Sequence, residues 1–591
     1  MGPYYDVIVL GSGLSACEAA HAAARLGCRT LLIAQKLSRL ADISLNARMG
    51  GPVRGILVRE VDALGGLSGR AADAALLHIR LLNETRGPAH WALRAAVDPE
   101  VFATAIRQVL AEVVHLTLQE GVVTAVDRDA AGPEWVVAVR GAPPRRAQAV
   151  VLAFGTTVHQ HIHVGRDRDT SGGADAALVD GLAALVPLER YHIAHPPLID
   201  RTTVDVAHTE VLHGSSTPLA FAHAQHAPLP PQALAAIYRE CVQHGWRDQL
   251  PSYRLATTLA TNAVVASAWS PVTRGLTSRG PEDCDPLELI VAGVPAARQA
   301  LVLEPASWSV GAVYLRGAYT ALGVDDQVRF IGTLPGLERA RLLRPGMLVE
   351  YDGLAMGALG SDLGVRGQAG MYAAGAFAGV NGNEESAALG MVAGINAARY
   401  ARRRMPIVPR RADAYVGVLV DDLSRGAGLP YRIANARVAD RTGLRHDNAD
   451  LRLTPLAGQL GLVARDRVLA VQHQQAAVDA AIAALRRLRV VPSAYVNARL
   501  AAVALAPLRT TATAEALLRR PRTTYAQLQQ ALDLPPLEAA AAAVVEAEVQ
   551  YTAMRGMPTR HAYQREPTGS AAVSAGCPSC PGGSRGGSCS V

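Results

Sequence analysis

The sequence predicts an α/β protein whose parallel sheet is assembled from two distant stretches, with an inserted α+β domain and a C-terminal helical domain. Two stretches carry that expectation. Residues 6–16 read DVIVLGSGLSA, an apolar strand running into a glycine-rich turn and then an Ala-rich helix. Residues 370–394, GMYAAGAFAGVNGNEESAALGMVAG, repeat the succession of strand, glycine turn and small-residue helix. The first turn can seat a pyrophosphate, because the unpaired N–H groups and the dipole of a helix N-terminus favour negative charge. The second lies far along the chain, so one dinucleotide domain is expected to be built from both ends of a long segment. That is the habit of a Rossmann-like, glutathione-reductase-like FAD-binding domain.

Taken in order, residues 7–10 and 30–33 are apolar, β-rich and bounded by turn residues, the pattern of parallel strands buried on both faces. A helix over about residues 15–26 completes a βαβ unit. Residues 99–111 read as an amphipathic helix, and 136–139 and 149–153 as strands. Residues 1–190 are thus assigned to the first part of the FAD-binding domain. From 191 to 284 the chain has more His and Pro and poorer periodicity, and is expected to be the inserted domain. Residues 285–405 return to strand, turn and helix as the second part of the FAD-binding domain. Residues 406–555 are Ala/Leu/Arg-rich and helical. The stretch 556–591, rich in Gly, Ser and Pro, is expected to be disordered.

A length of 591 residues exceeds one ordinary core and implies two to four domains. The chain carries 58 Lys and Arg against 51 Asp and Glu, a net charge of +7, and Lys36 is its only lysine. Arginine suits phosphate through its planar donor fork, although a biased genome composition explains the same ratio. The positive balance agrees with a nucleic-acid partner. Seven cysteines, four in the body and three in the tail, exclude a disulfide scaffold and fit a reducing compartment. No apolar run of membrane-spanning length occurs. The first strand begins so early that no room is expected for a signal or transit peptide. A cytoplasmic location follows, or a mitochondrial one were the chain eukaryotic.

The motif Gly11-Ser12-Gly13-Leu14-Ser15-Ala16 is a GxGxxA turn. Gly11 permits the tight turn, Gly13 admits phosphate to the backbone, and Ala16 allows helix and strand to approach. The second strand ends in Ile33, Ala34, Gln35 and Lys36, without the acid that often binds ribose. The turn from Gly375 to Gly382 precedes Asn383, Glu384 and Glu385, natural first-turn residues, and reads as a second helix start near the cofactor or as an ordinary βα turn. Residues 54–66, RGILVREVDALGG, have a helical period, and alone would be a solvated helix ending in a glycine cap. Cys284 sits in the loop Gly280-Pro281-Glu-Asp-Cys284-Asp285, where acidic neighbours oppose a nucleophilic thiolate. His159, His161 and His163 alternate as a metal face would, but read better as a polar strand edge or turn, because no Cys or acid nearby completes a ligand set. Cys577 and Cys580 have CxxC spacing in the tail. No metal site is assigned.

These segments together resemble the tRNA uridine 5-carboxymethylaminomethyl modification enzymes of the MnmG/GidA family. The resemblance runs over about residues 5–555 and rests on EVDALGG at 60–66, LLNETRGPA at 81–89, GTTVHQHIHVG at 155–165, SGG at 171–173, VEYD at 349–352, GVLVDDL at 417–423, PYR at 430–432 and DNADLRLT at 447–454. It implies an FAD domain, an inserted domain that helps bind NADH, and a helical C-terminal region. It implies modification of the wobble uridine of certain tRNAs at ring carbon 5, with an MnmE-type GTPase and usually as a homodimer. A one-carbon unit from methylene-tetrahydrofolate is joined there to an amine, glycine or taurine. By the resemblance Gly11, Ser12, Gly13, Leu14, Ser15, Ala16, Val122, Ser171, Gly375 and Ala376 lie at FAD, Gly280 and Pro281 at the nicotinamide, Cys284 is catalytic, and Arg432, Arg437, Arg441 and Arg445 contact tRNA or substrate.

The chain departs from the family pattern at several of these places. Leu45 stands where the family has a cysteine, residues 285–290 (DPLELI) lack its lysine, and residues 194–198 (AHPPL) lack its arginine. Ala376 replaces a glutamine and Ala439 a glutamate. The terminal helical module expected to dock the GTPase is replaced by the Cys/Gly/Ser tail. The alternative to an active enzyme is therefore a catalytically weakened relative that binds flavin and tRNA.

Overall fold

The computed structural model describes residues 4–129, 132–223, 249–268, 285–309, 311–428, 430–438 and 441–555. In its central sheet β1 (Tyr4–Leu10) lies between β2 (Thr30–Ala34) and β3 (Ala142–Leu152), all parallel. Leu116–Glu120 pairs in parallel with the outer side of β2. On the far side of β3 the hairpin strand Trp135–Val139 takes the first half, and β4 (Met371–Ala373) takes the last three residues in parallel. Leu10 faces Leu152, and Leu152 faces Ala373. The two glycine turns therefore leave one edge of one sheet, as the sequence implies.

Helices α1 (Leu14–Arg25), α2 (Arg54–Ala63), α3 (Ser68–Ala74), α4 (Pro99–Glu112) and α5 (Asn383–Ala401) share the hydrophobic core of this sheet. The expected strands and helices lie within a few residues of those observed, except that the strand expected at 149–153 begins already at Ala142. Asp98 caps α4 by accepting from the N–H groups of Glu100 (3.1 Å) and Val101 (3.3 Å), with Pro99 at the first helical position. Small residues let α1 and α5 touch backbone to backbone. A Cβ on Gly390 would lie 2.3 Å from the Ser15 carbonyl oxygen, and one on Gly394 2.3 Å from that of Ala19. Neither carbonyl can retreat without moving α1, so any side chain at these positions separates the helices.

Beyond this unit, Leu188–His195 and Met347–Leu354 pair in a four-stranded sheet that carries the chain to and from a six-stranded antiparallel one. The six strands, drawn from residues 198–344, enclose their own core around Ile199, Leu301, Leu303 and Leu315. The boundary expected at residue 284 falls inside this sheet, because hydrogen-bonded pairing joins Ser252–Ala256 to Ala300–Pro305 across it. Arg94, on the strand Ala92–Val97 of a small three-stranded sheet, and Arg316 both pair with buried Glu304 of the six-stranded sheet.

The C-terminal part is helical: α6 (Tyr415–Ser424), α7 (Ala449–Leu460), α8 (Arg465–Arg487) and α9 (Ala539–Arg555), with a separate core around Leu485, Leu500, Leu517, Leu528 and Val545. Its attachment explains the 54–66 motif. Helix α2 is buried rather than solvated, and Glu60 and Asp62 have no exposure at all. Glu60 accepts from the first N–H groups of α6, those of Tyr415 (3.0 Å) and Val416 (2.9 Å), and from Arg452 of α7 (2.9 Å). Asp62 pairs with Arg467 of α8 at 3.0 Å and with His223 at 2.6 Å.

Glu60→Ala leaves two helix-start donors and a guanidinium unpaired in the interior, and is expected to cost about 3 kcal/mol or more in urea unfolding. Glu100→Ala, which removes only exposed bonds from Arg107 and Thr104, should shift the midpoint far less. At Glu304 burial alone would raise the carboxyl, but Arg94, Arg316 and Arg48 outweigh it and hold the group well below the usual carboxylate range. The unfolded state therefore takes up this proton first as pH falls. The stability it contributes is complete above about pH 4.3, the ordinary glutamate value, and is lost as pH drops toward the native one. Urea midpoints measured between about pH 6 and about pH 3 should fall less steeply in Glu304→Gln.

Candidate dinucleotide cleft and adjoining loop

A cleft opens at the carboxyl ends of β1, β2 and β3, lined among others by Gly11, Ser12, Gln35, Phe154, Thr157 and Asp175. Gly11 has φ +137°, and a Cβ there would lie 2.0 Å from the Ala153 carbonyl oxygen, so the turn requires glycine. Gly13 differs: a Cβ there would meet nothing within 4 Å. Helix α1 starts at Leu14 with Gly13 as its cap, no side-chain capping bond and no acid in its first turn. An uncapped helix start beside open space is a cradle for an anion. Ser15 and Ala16 are buried in the first turn of α1 behind this opening.

The second turn closes on the first. Gly375, at φ +74°, is so close to α1 that a Cβ would lie 2.4 Å from the Ser15 hydroxyl oxygen. Ala376 follows, half-buried, in the short helix Gly375–Ala378. Val122 is half-buried beside the lining residues Gly121 and Val123, and its carbonyl accepts from the Arg140 N–H at 2.9 Å. Ser171 is exposed and outside the lining, its N–H donated to Asp169 at 2.8 Å. Gln35, Phe154, Thr157 and Asp175 were not singled out from the sequence. Only Gln35 carries a usable signal, since it directly follows the second strand, and its amide reaches the Gly173 carbonyl at 3.4 Å.

The loop bearing Leu45 lies between this unit and the six-stranded sheet. Tyr314 donates to the Ser44 carbonyl (2.7 Å), Arg344 to the same carbonyl (3.1 Å), and Arg316 to the Asn46 side chain (2.7 Å). From the other side Asn383 donates to the carbonyls of Asn46 (3.0 Å) and Arg48 (3.1 Å), and Glu384 accepts the Gly50 N–H at 2.6 Å. Glu385 binds Arg54 at 2.8 Å. The first turn of α5 thus clamps the loop rather than capping itself. Gly280, Pro281 and Cys284 lie outside the described residues. Cys17 and Cys28 are buried, and burial pushes the Cys17 thiol up to about 12.

Two expectations need correction. His159 lies in a turn, as one reading had it, but His161 and His163 are not at a sheet edge: His161–Val164 is an inner strand, and Glu350 from the neighbouring strand comes within 4.8 Å of both. The acid missing from the local sequence arrives by pairing. Arg168 and Arg190 both hydrogen-bond the His161 ring, and these two cations oppose a divalent ion. Among the four arginines, Arg445 is fully buried and held by Asp447 (3.0 Å) and Glu548 (2.9 Å), so it offers no face to a phosphate. Arg437 stacks over Tyr431 at 4.5 Å, and Arg432, Arg437 and Arg441 are half-buried.

Residues 6–405 match the family described as glucose inhibited division protein A, and residues 465–554 match the tRNA modifying enzyme MnmG/GidA C-terminal helical domain. The tRNA uridine 5-carboxymethylaminomethyl modification enzyme MnmG of Roseiflexus sp. (strain RS-1) is 42% identical over 586 residues, covering 93% of this chain and 86% of that relative. The relative of the same name from Chloroflexus aurantiacus is 40% identical, covering 93% and 87%. The crystal structure of Aquifex aeolicus GidA in its form II crystal superposes with a TM-score of 0.83 at 26% identity, over 93% of this chain and 87% of that one. With the family match spanning most of the chain and the relatives aligned almost end to end, this chain belongs to the MnmG/GidA family.

Proposed function

We propose that this chain is an FAD-dependent enzyme that modifies carbon 5 of the tRNA wobble uridine, with NADH as reductant and an MnmE-type GTPase as partner. The reading rests on one observation above the others: two glycine turns distant in sequence meet at the uncapped start of α1. The relatives' names, which state tRNA uridine modification, support it. No membrane-spanning helix occurs among the described residues. A cytoplasmic homodimer is part of the same proposal.

The residues present fit FAD. The open side of Gly13 and the first turn of α1 would hold the diphosphate, with Gly11, Ser12, Gly13, Leu14, Ser15 and Ala16 forming the turn. Gln35, whose amide can both donate to and accept from a hydroxyl, would face the ribose. Gly375 and Ala376 would border the ring system. When bound, FAD supplies reversible electron transfer. The chain's part is placement. The clamp on residues 44–46 fixes the wall between the cleft and the six-stranded sheet, and Arg432, Arg437 and Arg441 are proposed to hold tRNA phosphates. Cys284 is proposed as the nucleophile toward the uridine ring, which Leu45 has no atom to be.

In a host deleted for its own enzyme and supplied with an MnmE-type partner, expression of this chain is expected to restore the modified wobble uridine by nucleoside mass spectrometry, and Cys284→Ser to abolish it. Leu45 and Ala376 favour a second reading, a weakened relative that binds flavin and tRNA. That reading is upheld if no modified nucleoside forms while the purified chain oxidises NADH no faster than free flavin.

A further inference from the structure

A second cavity lies outside the dinucleotide cleft, near the far end of α1 from Gly13. Its volume is about 640 Å³, within the range of small-molecule sites. Its walls come from the end of α1, the α2–α3 turn, the end of α4 and the turn between α7 and α8. The polar floor is His21, Arg70 and Arg467, with Arg25 at the exposed margin.

Three independent features of this floor call for an anion. Arg70 makes no hydrogen bond or ion pair among the described residues, and its Nε is buried without an acceptor. Only Nε is shut off from water; the terminal nitrogens of this half-buried cation are not, and an anion would supply the acceptor they lack among the described residues. His21 is 6% exposed, and its Nδ1 is likewise buried without a partner. Burial, with Arg25 and Arg70 adding to it, pushes that imidazole down to about 3, so the neutral ring can donate one hydrogen bond. The third feature is α8, a 23-residue helix that starts at this cavity from Ala464 with no side-chain cap. Its unfilled N–H groups and dipole favour negative charge, and the one acid in its first turn, Asp466, is exposed.

The acids behind Arg70 do not replace a ligand. Glu18 is engaged by the N–H groups of Leu67 and Ser68, and Asp62 by Arg467 and His223. Glu112 and Asp466 line the cavity too, but both are exposed at the rim. They leave the cationic floor to one compact anionic group and disfavour a polyanionic strand at the mouth. Val109, Val113 and Leu462 add an apolar wall suited to an uncharged body attached to that group.

We propose that this cavity is a binding site for a small phosphate-bearing ligand, its phosphate gripped by Arg70 and Arg25, the His21 ring and the start of α8. The site is separate from the cleft that α1 opens at its other end and stands without the flavin reading.

The test follows thermal unfolding of the full chain in chloride buffer of matched ionic strength, with inorganic phosphate or adenosine 5′-monophosphate added. Either probe should raise Tm with concentration, as a ligand selective for the native state must. A larger rise with the nucleotide, where Arg70→Gln removes the excess, identifies an organic phosphate using the apolar wall, and equal rises identify free phosphate. Arg70→Gln should weaken the apparent affinity by about tenfold or more, as expected for losing a charged hydrogen-bonding partner. Arg25→Gln, at an exposed margin that does not threaten folding, should weaken it in the same direction. No rise with either probe, or rises that persist unchanged in both variants, would overturn the proposal.

Discussion

The contact that organises this molecule is the one between the backbones of α1 and α5. Gly390 and Gly394 bring α5 so near that its neighbours are the carbonyls of Ser15 and Ala19, not side chains. That approach, together with the pairing of β4 on β3, places Gly375 against Ser15. The roles proposed for Gly375 and Ala376 depend on it, because the second turn reaches the first only through this contact. It also explains the Ala and Gly content of both helices: a leucine at either glycine would force apart the elements that define the site.

The same economy governs the loop at residues 44–46. It is held by side chains from the six-stranded sheet on one side and from α5 on the other, through its carbonyls and the Asn46 amide. None of those bonds uses the side chain at position 45. A leucine there therefore leaves the loop's hold intact while removing any thiol chemistry from it. Shape and side-chain chemistry are separable at this position.

The βαβ unit and the second glycine turn were legible in the sequence because their cause is local: apolar strand runs, glycines at fixed offsets, small residues along a helix. What was not legible depends on partners far along the chain. Glu60 and Asp62 look like charges on a solvated helix until α6, α7 and α8 arrive to use them. Glu350 joins His161 and His163 only through strand pairing. Arg445 has the sequence context of a phosphate ligand, yet Asp447 and Glu548 enclose it. The boundary expected at residue 284 failed for the same reason, since antiparallel pairing crosses it. The cavity at His21 and Arg70 has no sequence motif, being made by four separate elements.

The central claim, that a flavin diphosphate rests on the open side of Gly13, is tested most directly by the visible absorbance of Gly13→Val. A Cβ at Gly13 touches no protein atom, so the variant should still fold, its Tm lowered only by the poorer helix cap that valine makes. The account requires the parent to purify yellow or take up added FAD, and the variant to stay colourless in excess FAD. A folded variant that binds FAD as well as the parent, or a parent that never binds it, would contradict the account.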